Sequence, residues 1–219
     1  MDRWATFDCY GTLVDWRAGI RGELARLFGT DGADELLALY YELEPSTQAN
    51  GALTYREVLA ATLARVAANS ARTIPDGEED ALARSLPGWP VFPEVTVALT
   101  EAREHGWRLA ILSNTDRDLL DASIRTIGVA FDDTVVASEI ASYKPARRHW
   151  EVFAERSGVI AARHVHVAQS LFHDIAPAGE LGLRSIWINR LGERPGPQPT
   201  RELPDLSTRA ATLDELVPA

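Results

Sequence analysis

The sequence predicts an α/β fold in which a parallel-sheet core carries an inserted helical cap, and three observations predict it. Short apolar runs recur at residues 4–7, 108–114, 133–139, 164–170 and 183–190, each rich in Val, Ile, Leu or Trp and each closing on polar residues. Strands buried on both faces of a parallel sheet read this way. Amphipathic stretches of about ten residues separate most of these runs, which is the alternation of a doubly wound, Rossmann-like sheet with right-handed crossovers. The interval 16–88 is helical in character and too long for one crossover, so it reads as an insertion after the first strand.

Each element follows from local pattern. The opening run WATF ends on an acid, Asp8, with Gly11 and Thr12 close behind. Residues 17–28 set Ile20, Leu24, Leu27 and Phe28 on one helical face, and Gly29 closes it. Further helices are expected over 35–44, 54–68 and 79–86, separated by GTDGA, EPSTQANGAL and NSARTIPDGE. The Val14, Asp15 turn and the proline-rich LPGWPVFPE, residues 86–94, serve as hinges. The expected division is therefore a core of residues 1–15 and 89–219 and a cap of residues 16–88. Beyond the hinge, helices are expected over 95–105, 116–127, 146–157 and 174–181, stopped by Gly106, Gly128, Gly158 and Gly182. The tail ERPGPQPTRELPDL has four prolines and reads as a loose connection, with a last strand or helix over 207–217.

At 219 residues the chain suits one large domain, or a core with a smaller insertion. Apolar residues at 46% and charged residues at 25% are those of an ordinary globular protein. The net charge of -10 argues against nucleic acid and anionic membrane as partners and says nothing about substrate. Cys9 is the only cysteine, so no intramolecular disulfide forms, and it is expected as a small buried hydrophobe in an intracellular protein. No charged leader precedes an apolar stretch, and no run approaches the roughly 20 apolar residues that span a bilayer. The expected location is cytoplasmic.

Ligands of open α/β sheets gather at the carboxyl ends of the strands. There the sequence collects Asp8, Tyr10 and Thr12, then Ser113 and Asn114, then Lys144, then Gln169 and Asp174. A carboxylate held by neighbours attacks carbon or phosphorus to give a covalent intermediate. An adjacent ammonium keeps that carboxylate ionised, and a second acid positions or deprotonates the hydrolytic water. Taken singly, such residues also have structural roles: a strand-end acid is a common helix N-cap.

Together, FDCYGTLVDW, LSNTD, SYKP and AQSLFHDIAPAGELGL resemble the four motifs of the haloacid dehalogenase superfamily, across residues 4 to about 190. The resemblance implies a cap after the first motif and an aspartate nucleophile. Phosphatases of that superfamily carry a second acid where this chain has Tyr10, and an acid where it has Gln169. Magnesium binds hard oxygen ligands, usually carboxylates. The two replacements therefore favour a site with no metal and no cofactor. An alkoxide needs a proton to leave, whereas a halide does not.

Asp-x-Tyr-Gly-Thr is also the first motif of the L-2-haloacid dehalogenase branch, which implies roles for the matching positions. Asp8 would attack the carbon bearing the halogen, and Lys144 would pair with it. Thr12, Ser113 and Asn114 would hold the nucleophile and substrate, with Asn114 near the halide. Asp174 would activate or position water. Tyr10 would wall the pocket and Trp150 would border it. The branch also implies a homodimer.

Departures are visible too. The branch's halide-gripping cap arginine has no counterpart between Arg26 and Arg56, and Tyr41 falls at its place. The cap stretch 39–51 offers Tyr40, Tyr41, Glu42, Gln48 and Asn50, and Arg17 offers a cation. The expected activity is hydrolytic dehalogenation of a 2-haloalkanoic acid. The alternatives are a magnesium-dependent small-molecule phosphatase and a non-catalytic binding protein.

Overall fold

A computed structural model describes residues 2–49, 53–194 and 196–219. Asn50 of the cap stretch and Pro195 of the tail lie outside them. Strands β1 (Arg3–Phe7), β2 (Trp107–Ser113), β3 (Asp133–Val136), β4 (His164–Ala168), β5 (Arg184–Ile188) and β6 (Arg201–Leu203) form one sheet. Its order is β3-β2-β1-β4-β5-β6 and every pairing is parallel. The central strand β1 aligns Ala5 with Leu109 on one side and with Val165 on the other. The chain walks from β1 to β3 in one direction and from β4 to β6 in the other. The strand order therefore reverses at β1, which opens a crevice above its carboxyl end.

The stretch between β1 and β2 holds α1 (Trp16–Phe28), α2 (Ala33–Gln48), α3 (Tyr55–Asn69) and α4 (Ala81–Ser85). Asp15 caps α1 by accepting from the Ala18 N–H, and Thr54 with Glu57 forms a capping box on α3. A Cβ on Gly19 would fall 2.3 Å from the Trp89 ring, so α1 can lie on that indole only through a glycine. The expected stop of the second helix at EPST does not occur, and α2 runs through Pro45. Side chains hold this last turn: the Ser46 and Thr47 hydroxyls and the Arg65 guanidinium all donate to the Leu43 carbonyl.

The excursion leaves and returns at one place. Val14 forms an antiparallel bridge with Val91, the Asp15 N–H donates to the Pro90 carbonyl at 2.7 Å, and the Phe92 N–H donates to Leu13 at 3.1 Å.

The remaining α-helices are α5 (Val95–Glu104), α6 (Arg117–Ile127), α7 (Ala137–Ile140), α8 (Arg148–Ser157), α9 (Ala176–Glu180) and α10 (Arg209–Leu216), and a short helical turn, Leu171–Ile175, carries Asp174 into α9. Two expectations need correction. The third strand ends at Val136, and residues 137–140 turn into α7. The proline-rich tail is not simply loose, because residues 201–203 add β6 to the sheet edge, where the Asn189 N–H donates to Leu203. Edge strands tolerate flanking prolines, since an edge leaves backbone donors unused. The last element is helix α10. No helix among the described residues is long and apolar enough to cross a membrane.

His149 and His164 are buried, and burial pushes both imidazoles down to about 3. Each ring stays neutral in the folded chain but charges near pH 6.5 once unfolded. The unfolded state then binds the extra protons, so stability falls as pH drops from about 6.5 towards 3. Unfolding free energies from urea titrations should be flat above that window and decline within it by roughly 1.4 kcal/mol per pH unit for each ring. His164→Gln should halve the slope between pH 5 and 6.5.

Candidate active site

The site grows from the polar residues that follow each central strand. Beyond β1 the backbone turns sharply at Gly11, whose φ of 98° puts it in the left-handed region. A Cβ there would lie 3.1 Å from Trp16 Nε1 and 3.2 Å from Gln169 Oε1, so the turn requires glycine. That turn folds Thr12 back beneath Asp8. The Thr12 hydroxyl donates to Asp8 Oδ2 at 2.9 Å and accepts the Gln169 N–H at 3.0 Å, which ties the ends of β1 and β4 together.

Lys144 converges from the loop after α7. Its ammonium donates to Asp8 Oδ1 at 2.9 Å, to Asp174 Oδ1 at 2.6 Å and to the Leu112 carbonyl at 2.8 Å. All three protons of the fully buried ammonium are thus committed to the protein. Asn114 holds the lysine by its backbone: Oδ1 accepts the Lys144 N–H at 2.6 Å and Nδ2 donates to the Lys144 carbonyl at 3.0 Å. Its amide thus positions Lys144 through one acceptor and one donor, and a second N–H remains on Nδ2. Ser113 is 1% exposed and lines the cavity, yet its hydroxyl finds no partner among the described residues.

A second set of partners lies behind Asp174 and was not legible as a site in the sequence. His166 Nε2 sits 3.0 Å from Asp174 Oδ1, its Nδ1 sits 2.8 Å from Thr6 Oγ1, and that hydroxyl sits 2.7 Å from His164 Nε2. All four side chains are buried. One proton arrangement satisfies the whole row: His164 donates to Thr6, Thr6 to His166, and His166 to Asp174. The signal was the alternation in HVHV, where two histidines one strand period apart share a face.

The electrostatics divide the two acids. For Asp174 burial alone would raise the carboxyl, but Lys144 and the His166 hydrogen bond outweigh it and hold it well below the usual range. Asp8 is pushed up by burial, pulled back by Lys144 and repelled by Asp174, and it stays above the usual range. Burial alone would lower the Lys144 ammonium, yet Asp174 and then Asp8 raise it. Tyr10 is raised chiefly by burial, so its phenol stays neutral, and its hydroxyl sits 3.1 Å from Ser123 Oγ.

Above this cluster lies a cavity of about 880 Å³. It brings together most of the expected residues: Asp8, Tyr10, Tyr41, Ser113, Asn114, Lys144, Gln169 and Asp174 all line it. Tyr10 walls it, stacked on Tyr55 with ring centroids 5.8 Å apart. Trp150 does not line it. The buried face of α8 carries that indole under the sheet with Trp4 and Phe153, edge-on to His166 at 5.2 Å. Glu42 is exposed, and Glu44 faces the cavity in its stead. Helical phase explains the exchange, because Leu37, Tyr40, Tyr41, Glu44 and Gln48 share one stripe of α2 and residue 42 does not. Arg17 also lines the cavity, with its guanidinium 4.6 Å from the Tyr41 ring centroid.

A parallel doubly wound sheet with a lysine clasped between two strand-end aspartates at its switch point defines a class of α/β hydrolase. The model of the haloacid dehalogenase-like hydrolases matches residues 3–182. The chain belongs to that family. It is 25% identical to (S)-2-haloacid dehalogenase 4A of Burkholderia cepacia over 99% of this chain and 94% of that protein. It is 30% identical to a phosphoserine phosphatase of Thermus thermophilus over 53% of this chain and 47% of that one. The crystal structure of the L-2-haloacid dehalogenase RSc1362 superposes with a TM-score of 0.88 at 23% identity, covering 97% of this chain and 99% of the other.

The His166 contact has a measurable consequence. His166→Leu removes a donor that keeps Asp174 ionised, and leaving a buried charge short of one hydrogen bond should cost about 1–3 kcal/mol in urea denaturation. The acid limb of any Asp174-dependent activity should move to higher pH. His166→Gln, which keeps a donor, should restore much of both.

Proposed function

We propose that this hydrolase cleaves the carbon–halogen bond of a 2-haloalkanoic acid through an Asp8 ester, without a metal ion. The observation that carries this is the Lys144 ammonium bridging Asp8 and Asp174 while a neutral, half-buried phenol stands at Tyr10. Of the two acids, Asp8 is the more basic and hence the better nucleophile once ionised. One Asp8 oxygen attacks C2, the C–X bond breaks, and the halide leaves with the bonding electrons and needs no proton. Water then attacks the ester carbonyl, releasing the 2-hydroxy acid, the Asp8 carboxylate and a proton. A carboxylate as strongly stabilised as Asp174 is a weak base, so its part is to orient that water through Oδ2, since Oδ1 already takes Lys144 and His166.

Lys144 has no proton left for the substrate, so its carboxylate needs other partners. The unpartnered Ser113 hydroxyl and the Arg17 guanidinium suit that need. Helices α1 to α3 supply the roof, with residues 16–88 acting as a cap on a core of residues 1–15 and 89–219. The donor set suits a divalent cation poorly. Lys144 already occupies both carboxylates, Tyr10 is a neutral phenol turned to Ser123, and Gln169 offers an amide.

Halide release from 2-chloropropanoate should persist undiminished with a chelator present and vanish in Asp8→Asn. In oxygen-18 water under single-turnover conditions, label should enter Asp8, read by peptide mass spectrometry. Turnover of phosphate esters that depends strictly on magnesium would overturn the proposal in favour of a phosphatase.

A further inference from the structure

The cavity holds more charge than the chemistry of a short haloacid uses. Of its charged side chains, Arg21 pairs with Asp34, Arg190 pairs with Glu94, and Lys144 is shared by Asp8 and Asp174. Asp15 caps α1, and Glu193 is exposed at the rim. Arg17 and Glu44 remain, both half-buried and both without an ion-pair partner among the described residues. They do not pair with each other.

Glu44 is the stranger of the two, since an acid is a poor wall for a pocket that receives an anion. Among the described residues its carboxylate accepts from Gln48 Nε2, at a long 3.5 Å. Burial pushes its carboxyl up to about 7, so the folded chain bears a cost for keeping it there. Glu44 lies three residues beyond Tyr41, whose ring carries Arg17. At about 1.5 Å rise per residue the two sit roughly 4.5 Å apart along the α2 axis. A cavity of about 880 Å³ is near the upper end for a drug-sized ligand, and a two- or three-carbon acid would leave most of it empty.

We infer that Glu44, assisted by Gln48, is a second recognition point that takes a protonated amine on the part of the substrate remote from the reacting carbon. The substrate is then a longer acid bearing both charges, its carboxylate towards Arg17 and Ser113 and its ammonium towards Glu44. This rests on the Asp8 proposal for the reaction, but binding at Glu44 is separable from it.

The test is calorimetric binding of three product acids to the full chain: 2-hydroxyhexanoate, 2,6-dihydroxyhexanoate and 6-amino-2-hydroxyhexanoate. The amino acid should bind about tenfold or more tightly than the plain acid, as expected of a charge-assisted hydrogen bond worth at least about 1.4 kcal/mol. Glu44→Gln should erase that preference, with plain-acid affinity no lower than in the parent. The same variant should melt at a higher temperature than the parent, because an uncompensated buried carboxylate is gone. Equal binding of all three acids, binding of none, or a preference that survives Glu44→Gln would each overturn the inference. A preference confined to the hydroxyl compound would replace the ammonium by a neutral donor and overturn it as stated. If the Glu44-dependent preference holds while no 2-chloro analogue is dehalogenated, the Asp8 proposal fails and the subsite stands.

Discussion

An ammonium in a protein interior must place all of its protons on acceptors, and the arrangement around Lys144 follows from that demand. Two of its acceptors are carboxylates and the third is the Leu112 carbonyl of β2. Asp8 arrives from β1 and Asp174 from the turn after β4, so the lysine can be satisfied only when the carboxyl ends of these strands are in register. Breaking any member would strand a buried charge, a larger loss than the pair's net worth. Asn114 and Thr12 hold the cluster from outside it, one gripping the lysine backbone and the other spanning β1 and β4.

Parallel strands were legible because strands buried on both faces leave unbroken apolar runs, and WATF and RLAILSN needed little else. The site's inner members were legible only through their order and placement together, since a strand-end acid taken singly is a common helix N-cap. Pro45 misled because a helix can pass a proline when side chains satisfy the carbonyls around it, and Arg65, which helps to do so, lies on another helix. The edge strand β6 misled because an edge needs hydrogen bonds on one side only, so its own sequence need not look like a strand. Trp150 and Glu42 failed on direction. Their distance along the chain from a motif was suitable, but the helical phase pointed one under the sheet and the other into solvent.

The row from His164 through Thr6 and His166 to Asp174 stayed out of view for a deeper reason. Thr6, His164 and His166 are unremarkable strand residues one by one, and only the pairing of Thr6 with His166 across β1 and β4 makes them a chain of donors ending on Asp174. Such rows are costly when incomplete and specifying when complete. Here the row directs its donors at the acid that shares Lys144. That bias separates two otherwise similar carboxylates, leaving Asp174 well below the usual carboxylate range and Asp8 above it.

The bridge between Val14 and Val91 carries a consequence for how this architecture varies. Because outgoing and returning segments are stapled side by side, the sheet experiences residues 16–88 as a closed hairpin stem of fixed width. Loop closure grows only slowly with the length enclosed. Helices can therefore be added, lost or exchanged above the stem with little tax on the core beneath. Selection can retailor the roof for a new ligand while the clasped lysine below is inherited intact.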